Sequence, residues 1–258
     1  MKFLKAMLLL FAMNVQRCAP RLAQNYRCQT ILVSLCILLT SCVSGWNYRG
    51  STGPKNWGDL DQKFKFCKIG NNQSPIDVKY EFEDSELSFS YKDSEIEKER
   101  EKFTIKINLF AKNTLTRTKK KYFAHYLRFH HPSEHLVKGK PYSIEMQITH
   151  KSDDEQLLNL AVFLEVGKIN PEFNRLISFL LSDKRGGNFN LSKIIKTDDR
   201  IFFYDGSLTT PPCTEGVKWY IMQTPIEISS EQMNELISLT ILSKSNARPV
   251  QNFYPSLF

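Results

Sequence analysis

The stretch Phe103-Thr-Ile-Lys-Ile-Asn-Leu109 sets Phe103, Ile105, Ile107 and Leu109 on one side of an extended chain and Thr104, Lys106 and Asn108 on the other. That period of two is the pattern of a strand with one face buried and one face wet. Working outward, further strands are expected at Tyr122 to His131, Tyr142 to His150, Leu157 to Val166 and Val217 to Gln223. Two helices are also legible. One opens at Asn170 and Pro171 and carries Phe173, Leu176, Ile177 and Leu180. The other opens at Ser229, with Gln232 completing a capping box. From Trp46 to Asp77 the chain is rich in Gly, Pro, Asn and Trp without periodicity, as expected of a segment that wraps a surface through turns rather than regular structure. The class is therefore mixed and mainly β, with short peripheral helices.

Length and composition agree with one domain. A chain of 258 residues with 41% hydrophobic, 24% charged and 12% aromatic content can bury a large core, which excludes disordered, collagen-like and multi-span membrane classes. The net charge of +8 is concentrated in residues 1–44, where Lys2, Lys5, Arg17, Arg21 and Arg27 meet no acid. The remainder holds 30 basic against 27 acidic residues. So weak a balance carries no polyanion signature, and nucleic acid is not expected as a partner.

Residues 1–44 read as a leader and 45–258 as the folded domain. Two apolar runs, Phe3 to Met13 and Ile31 to Val43, each follow basic residues and are each shorter than the roughly 20 residues a membrane span needs. The second is the better signal core, which allows translation to start at Met13. Its end, Leu39-Thr-Ser-Cys42, fits a bacterial lipoprotein signal with Cys42 as the acylated residue and a lipid membrane attachment. Ordinary cleavage near Ser44 and a retained anchor are the alternatives. The protein is thus read as exported, whether periplasmic, secreted or lipid-anchored. Four of six cysteines lie in the leader, and the two downstream, Cys67 and Cys213, suggest one disulfide in an oxidising compartment or, failing that, two buried thiols.

Five motifs stand in a telling order: Trp46-Asn-Tyr-Arg-Gly50, Gly53-Pro-Lys-Asn-Trp57, Gln73-Ser-Pro-Ile-Asp77, Pro132-Ser-Glu-His135 and Gly206-Ser-Leu-Thr-Thr-Pro-Pro-Cys213, closed by Asn246-Ala-Arg-Pro-Val-Gln251. In order and spacing they resemble the α-class carbonic anhydrases from Trp46 to about Gln251. The resemblance implies a single domain around a large, twisted, mostly antiparallel sheet, a conical cavity in that sheet, and a disulfide joining Cys67 to Cys213.

The resemblance also implies a zinc site of three histidines, a His-x-His on one strand and a third on its neighbour, since residues two apart on a strand face the same side. Counting back from Pro132, the His-x-His falls on Arg128, Phe129 and His130, and the neighbouring ligand falls on Gln147. Only His130 remains. Alternation turns His125, Phe129, His131 and His150 the other way. A guanidinium offers no lone pair and carries a positive charge to the place of a cation, and Gln147 is a weak oxygen ligand at best. By motif, Glu145 matches the carboxylate that orients the third ligand, Thr209 the hydroxyl that positions the nucleophile, and Glu134 its partner. Glu145 or Glu134 is expected to neutralise Arg128. The carbon dioxide wall maps onto Thr149, Asn159, Leu208 and Trp219, with Thr210 beside them, so two wall positions are polar. The proton-shuttle position falls between Glu101 and Phe103, where no His stands.

The reading is an exported, monomeric relative of the catalytically inactive carbonic anhydrase-related proteins, without cofactor, kept as a binding module for a protein or anionic ligand. The anion would meet the Arg128 fork, Thr209 and Gln147. The alternative is a zinc-dependent carbonic anhydrase with a rearranged site that recruits His131 or His150.

Overall fold

The computed structural model describes residues 45–253 apart from residue 85. The leader expected over residues 1–44, and with it the lipidation expected at Cys42, falls outside the described residues.

The described residues form thirteen strands in order. They are β1 (Asp77–Val78), β2 (Leu87–Ser90), β3 (Asp93–Arg100), β4 (Ile105–Leu109), β5 (Thr114–Arg117), β6 (Lys120–His130), β7 (Leu136–Val137), β8 (Ile144–Lys151), β9 (Leu157–Val166), β10 (Gly186–Asn190), β11 (Ile201–Ser207), β12 (Glu215–Met222) and β13 (Ile226–Ile228). Eleven of them form one sheet, eight along the path β10-β3-β4-β6-β8-β9-β12-β11, with β13 paired to β9, β5 to β6 and β2 to β5. Pairing is antiparallel except where β9 meets β12 and β13, and β1 and β7 form a small parallel pair. A mixed, mainly β fold with a large and mostly antiparallel sheet is what the sequence leads one to expect.

The sheet separates two apolar layers because its central strands are buried on both faces. On one face Ile144, Met146, Ile148, Leu158, Leu160, Val162 and Leu164 join the main core, and on the other Ala161, Phe163, Trp219 and Ile221 form a smaller one. Helices α1 (Pro171–Leu181) and α2 (Ser230–Thr240) cover the main core with Phe173, Leu176, Met233 and Leu236. Asn170 caps α1 with Pro171 at the first position, and Ser229 and Gln232 form the expected capping box of α2. At the far end of α1 no basic residue occupies the last turn. Lys98 of β3 supplies the cation instead, donating to the carbonyls of Phe179, Leu180 and Ser182.

The N-terminal wrap departs from expectation in one respect. It is not free of regular structure: it carries 3₁₀ turns at Gly50–Thr52, Pro54–Asn56 and Gln62–Phe64, and single α-turns at Trp57–Leu60 and Phe66–Ile69. Their lengths of three and four residues are too short to print a helical period. The wrap is pinned by an aromatic cluster in which Trp46, Tyr48, Trp57 and Phe103 meet edge to face or tilted, at 4.8 to 5.5 Å. Cys67 and Cys213 form the disulfide that ties this wrap to the loop after β11. Among the described residues no helix is long and apolar enough to cross a membrane.

Candidate functional site

The site is built by the register of β6 against β8. Arg128 pairs with Gln147 and His130 with Glu145, so four side chains of alternating positions share one face of the sheet. The intervening Leu127, Phe129, Met146 and Ile148 point into the main core on the other face. The two altered ligand positions therefore stand directly opposite each other across the strand pair.

Arg128 is paired with a carboxylate, and the identity of that partner corrects the expectation. The guanidinium is held in a fork by Glu101, with Nε donating to Oε2 at 2.8 Å and the second nitrogen to Oε1 at 2.6 Å, while the group lies 4.4 Å from the Tyr126 ring. Neither Glu145 nor Glu134 neutralises it. Both are spent elsewhere, and Glu101 reaches Arg128 from the turn between β3 and β4, at the position where the shuttle of active relatives was mapped. The pair is half-buried, with about 29% and 28% side-chain exposure. No fork is left open for an incoming anion unless it displaces Glu101.

Gln147 joins the two inner carboxylates. Its Nε2 donates to Glu134 Oε2 at 2.9 Å and to Glu145 Oε1 at 2.8 Å, so the amide nitrogen is turned toward them. Glu145 is enclosed further: its oxygens accept from the backbone N–H of His135 and from His135 Nδ1, both at 2.8 Å. Burial alone would raise the Glu145 carboxyl, but the His135 ring and its donated bonds outweigh that and hold it at about 2. His135 continues the chain through Nε2 to the Tyr204 hydroxyl at 2.7 Å, which donates to Ser74 Oγ at 2.8 Å. Glu134 accepts from the backbone N–H of Arg248 at 2.9 Å. The Arg248 side chain is buried beneath, donating to Gln73 and to the carbonyls of Ser74 and Cys67.

His130 keeps the orientation of a ligand. Its Nδ1 lies 2.9 Å from the Asn246 carbonyl, which can only accept, so in the neutral ring Nδ1 carries the proton and Nε2 keeps its lone pair. The other histidines do not reach it. His131 Nδ1 bonds the Ser143 carbonyl at 2.7 Å. His150 is buried on the opposite face, 2.7 Å from the Tyr91 hydroxyl, and burial pushes its pKa down to about 4. His125 sits at a β-bulge between Ala124 and Tyr126 and is exposed, so strict alternation does not describe it.

The positions mapped onto a carbon dioxide wall run across three strands, since Thr149 pairs with Asn159 and Asn159 with Trp219. Asn159 Oδ1 is buried with no hydrogen-bond partner among the described residues, which marks this floor as polar in character. Trp219 Nε1 donates to the Ser207 carbonyl at 2.9 Å. Thr209 is buried in the loop after β11, flanked by the half-buried Leu208 and Thr210.

The donor set does not fit zinc. A tetrahedral structural or catalytic ion needs at least three good lone-pair ligands. Here one imidazole faces a guanidinium already paired with a carboxylate and an amide whose nitrogen is committed to two more. Among the described residues no group of three or more His, Cys, Asp or Glu side chains is placed to hold a metal ion. Sequence reasoning missed Glu101 as the counter-charge, His135 and Tyr204 as the support of Glu145, and Tyr126 as the platform for Arg128. The signal for Glu101 was chemical: an inward guanidinium requires a carboxylate.

A large, mostly antiparallel sheet with an inner site of strand-borne imidazole, carboxylates and a Thr-bearing loop defines the class. Residues 52–255 match the family described as eukaryotic-type carbonic anhydrase, and the chain belongs to the carbonic anhydrase family. It is 33% identical over 219 residues to a carbonic anhydrase of Nostoc sp., covering 80% of this chain and 82% of the relative. It is 30% identical over 236 residues to one of Neisseria gonorrhoeae, with 87% and 93% covered. Among solved structures it is similar to the Thermovibrio ammonificans α-carbonic anhydrase in complex with sulfanilamide, with a TM-score of 0.72 at 33% identity over 81% of this chain and 95% of that one. It is also similar to dioscorin complexed with ascorbate, with a TM-score of 0.74 at 25% identity over 81% and 94%.

Proposed function

We propose that this chain is an exported member of the carbonic anhydrase family that does not hydrate carbon dioxide and keeps the fold as a binding module. The observation that carries the reading is the Arg128–Glu101 fork at the first ligand position, directly across the strand pair from Gln147. A guanidinium cannot lose its proton in a protein, so the position cannot become a ligand at any accessible pH. The polar floor at Thr149 and Asn159 supports the same reading, because a small apolar gas gains little from such a wall. Export is supported by the Cys67–Cys213 disulfide, a bond that persists in oxidising compartments, and by the leader read from the sequence. The ligand is a protein surface, or an anion able to compete with Glu101 for Arg128. No metal is required.

The test is stopped-flow carbon dioxide hydration by the purified, oxidised protein supplied with zinc, with and without an aromatic sulfonamide. The expected rate is the uncatalysed background in both cases. Hydration that a sulfonamide abolishes and that rises with zinc content overturns the reading.

A further inference from the structure

Two hydrogen-bond acceptors of the inner site are left unused by the described residues. His130 Nδ1 lies 2.9 Å from the Asn246 carbonyl and 3.4 Å from Glu134 Oε2, both of them acceptors, so it keeps the proton of the neutral ring and Nε2 carries the lone pair. Gln147 gives one amide hydrogen to Glu134 Oε2 at 2.9 Å and the other to Glu145 Oε1 at 2.8 Å, which leaves its Oε1 with both lone pairs. The two side chains thus gather around one oxygen, Glu134 Oε2, on the sheet face they share with Arg128. His130 is 3% exposed and Gln147 6%, yet neither free atom is sealed from solvent as Asn159 Oδ1 is. The open side is that of Arg128, whose side chain stands across from Gln147 and is 29% exposed. Polar atoms at such depth are ordinarily hydrogen-bonded, so the pair marks where a donor enters.

The surroundings decide the charge of that donor. An anion at this place would meet two lone pairs, with the carboxylates of Glu134 and Glu145 behind them. A cation would find no free carboxylate oxygen to pair with. Glu134 Oε1 accepts from the Arg248 N–H and Oε2 from Gln147, while Glu145 Oε1 accepts from His135 Nδ1 and Gln147 and Oε2 from the His135 N–H. It would also face the Arg128 guanidinium across the strand pair. Burying a charge against neutral acceptors alone is costly, whereas an uncharged N–H donor satisfies both acceptors and brings no charge with it.

We propose that the inner site binds an uncharged ligand with a primary amide head, whose two N–H groups donate to His130 Nε2 and Gln147 Oε1 while its body leaves past Arg128. The inference rests on the reading of this site as metal-free and names the ligand class for its floor. Benzamide is the probe, with benzoate and benzamidine as its anionic and cationic counterparts and N,N-dimethylbenzamide as the amide without N–H. Binding is followed by NMR titration of the isotope-labelled protein with a chelator present throughout. Benzamide is expected to saturate, shifting the His130 ring nitrogens and the Gln147 side-chain amide, and to bind at least about tenfold tighter than any of the other three. His130→Phe should weaken it about tenfold. That variant leaves the Asn246 carbonyl without its donor, so if it does not fold, the dimethyl probe decides on the natural protein. Equal binding of the dimethyl probe, of benzoate or of benzamidine overturns the proposal, as does benzamide binding unchanged in a folded His130→Phe, or no binding at millimolar probe. The chelator keeps this result apart from the metal-free reading itself, which falls only to carbon dioxide hydration that rises with zinc.

Discussion

Replacing Arg128 and Gln147 together with histidine should reinstall a zinc site, because the supports of the missing ligands are still in place. His130 is already turned by the Asn246 carbonyl to present Nε2, and Glu145 is held ionised by His135, ready to accept the N–H of an imidazole at position 147. The cost is modest. Loss of the half-exposed Arg128–Glu101 pair removes about 1 kcal/mol. The change at 147 keeps the bond to Glu145 and gives up the one to Glu134, about 1 kcal/mol more. For a domain of this size each kcal/mol moves the melting temperature by about 2–4 °C, so the metal-free double variant should melt roughly 4–8 °C lower. Zinc at a hundred times its dissociation constant returns about 2.7 kcal/mol, a rise of about 5–11 °C. Differential scanning fluorimetry with and without zinc, with elemental analysis of the dialysed protein, reads both. The natural protein should not shift. Arg128→His alone leaves two imidazoles, and Gln147→His alone leaves a cation at the site, so neither should match the double variant. A folded double variant that takes up no zinc refutes the reasoning, and so does Gln147→His alone binding as tightly as the pair.

Three further outcomes follow from the same geometry. Glu101→Gln should cost no more than about 1 kcal/mol, given the pair's exposure. It should also free the Arg128 fork, so that millimolar sulfate raises the melting temperature of the variant but not of the natural protein. Equal response of both would show that the fork is not what Glu101 occupies. Acid should destabilise the protein in two stages. His150 is depressed from 6.5 to about 4 by burial, so its contribution is complete above 6.5 and is lost as pH falls through 4. Glu145, depressed from 4.5 to about 2, adds a second loss between those values. Urea midpoints across pH read this, and His150→Gln should flatten the upper stage; an unchanged slope contradicts the assignment. Reduction of Cys67–Cys213, which spans 146 residues, should cost about 2–5 kcal/mol, read as a fall in urea midpoint with dithiothreitol.

Much of this was legible because strand period and ligand parity are the same fact. Leu157 to Val166 is read with its observed bounds, and the alternation that puts Arg128, His130, Glu145 and Gln147 on one face holds in the structure. The caps at Asn170 and Ser229 were equally direct, since a cap is a local bond between residues two or three apart. The strands that escaped notice did so for physical reasons. Asp93–Arg100 buries only Ser94 and Ile96 and is otherwise charged, so it reads as a solvated segment. Ile201–Ser207 packs on both faces and shows no alternation. The counter-charge of Arg128 lies 27 positions away in a turn, and pairing across such a distance is a property of the folded sheet rather than of any local pattern. The bulge at His125 likewise depends on how β6 meets β8, which no single strand declares.

The central claim, that this member of the carbonic anhydrase family has no metal site, is tested most directly by the zinc content of the purified protein. The oxidised protein is equilibrated with zinc, dialysed exhaustively and measured by elemental analysis per mole of chain. The geometry of Arg128, Gln147 and Glu101 predicts zinc near zero in a folded protein. Zinc near one per chain that survives dialysis would contradict it.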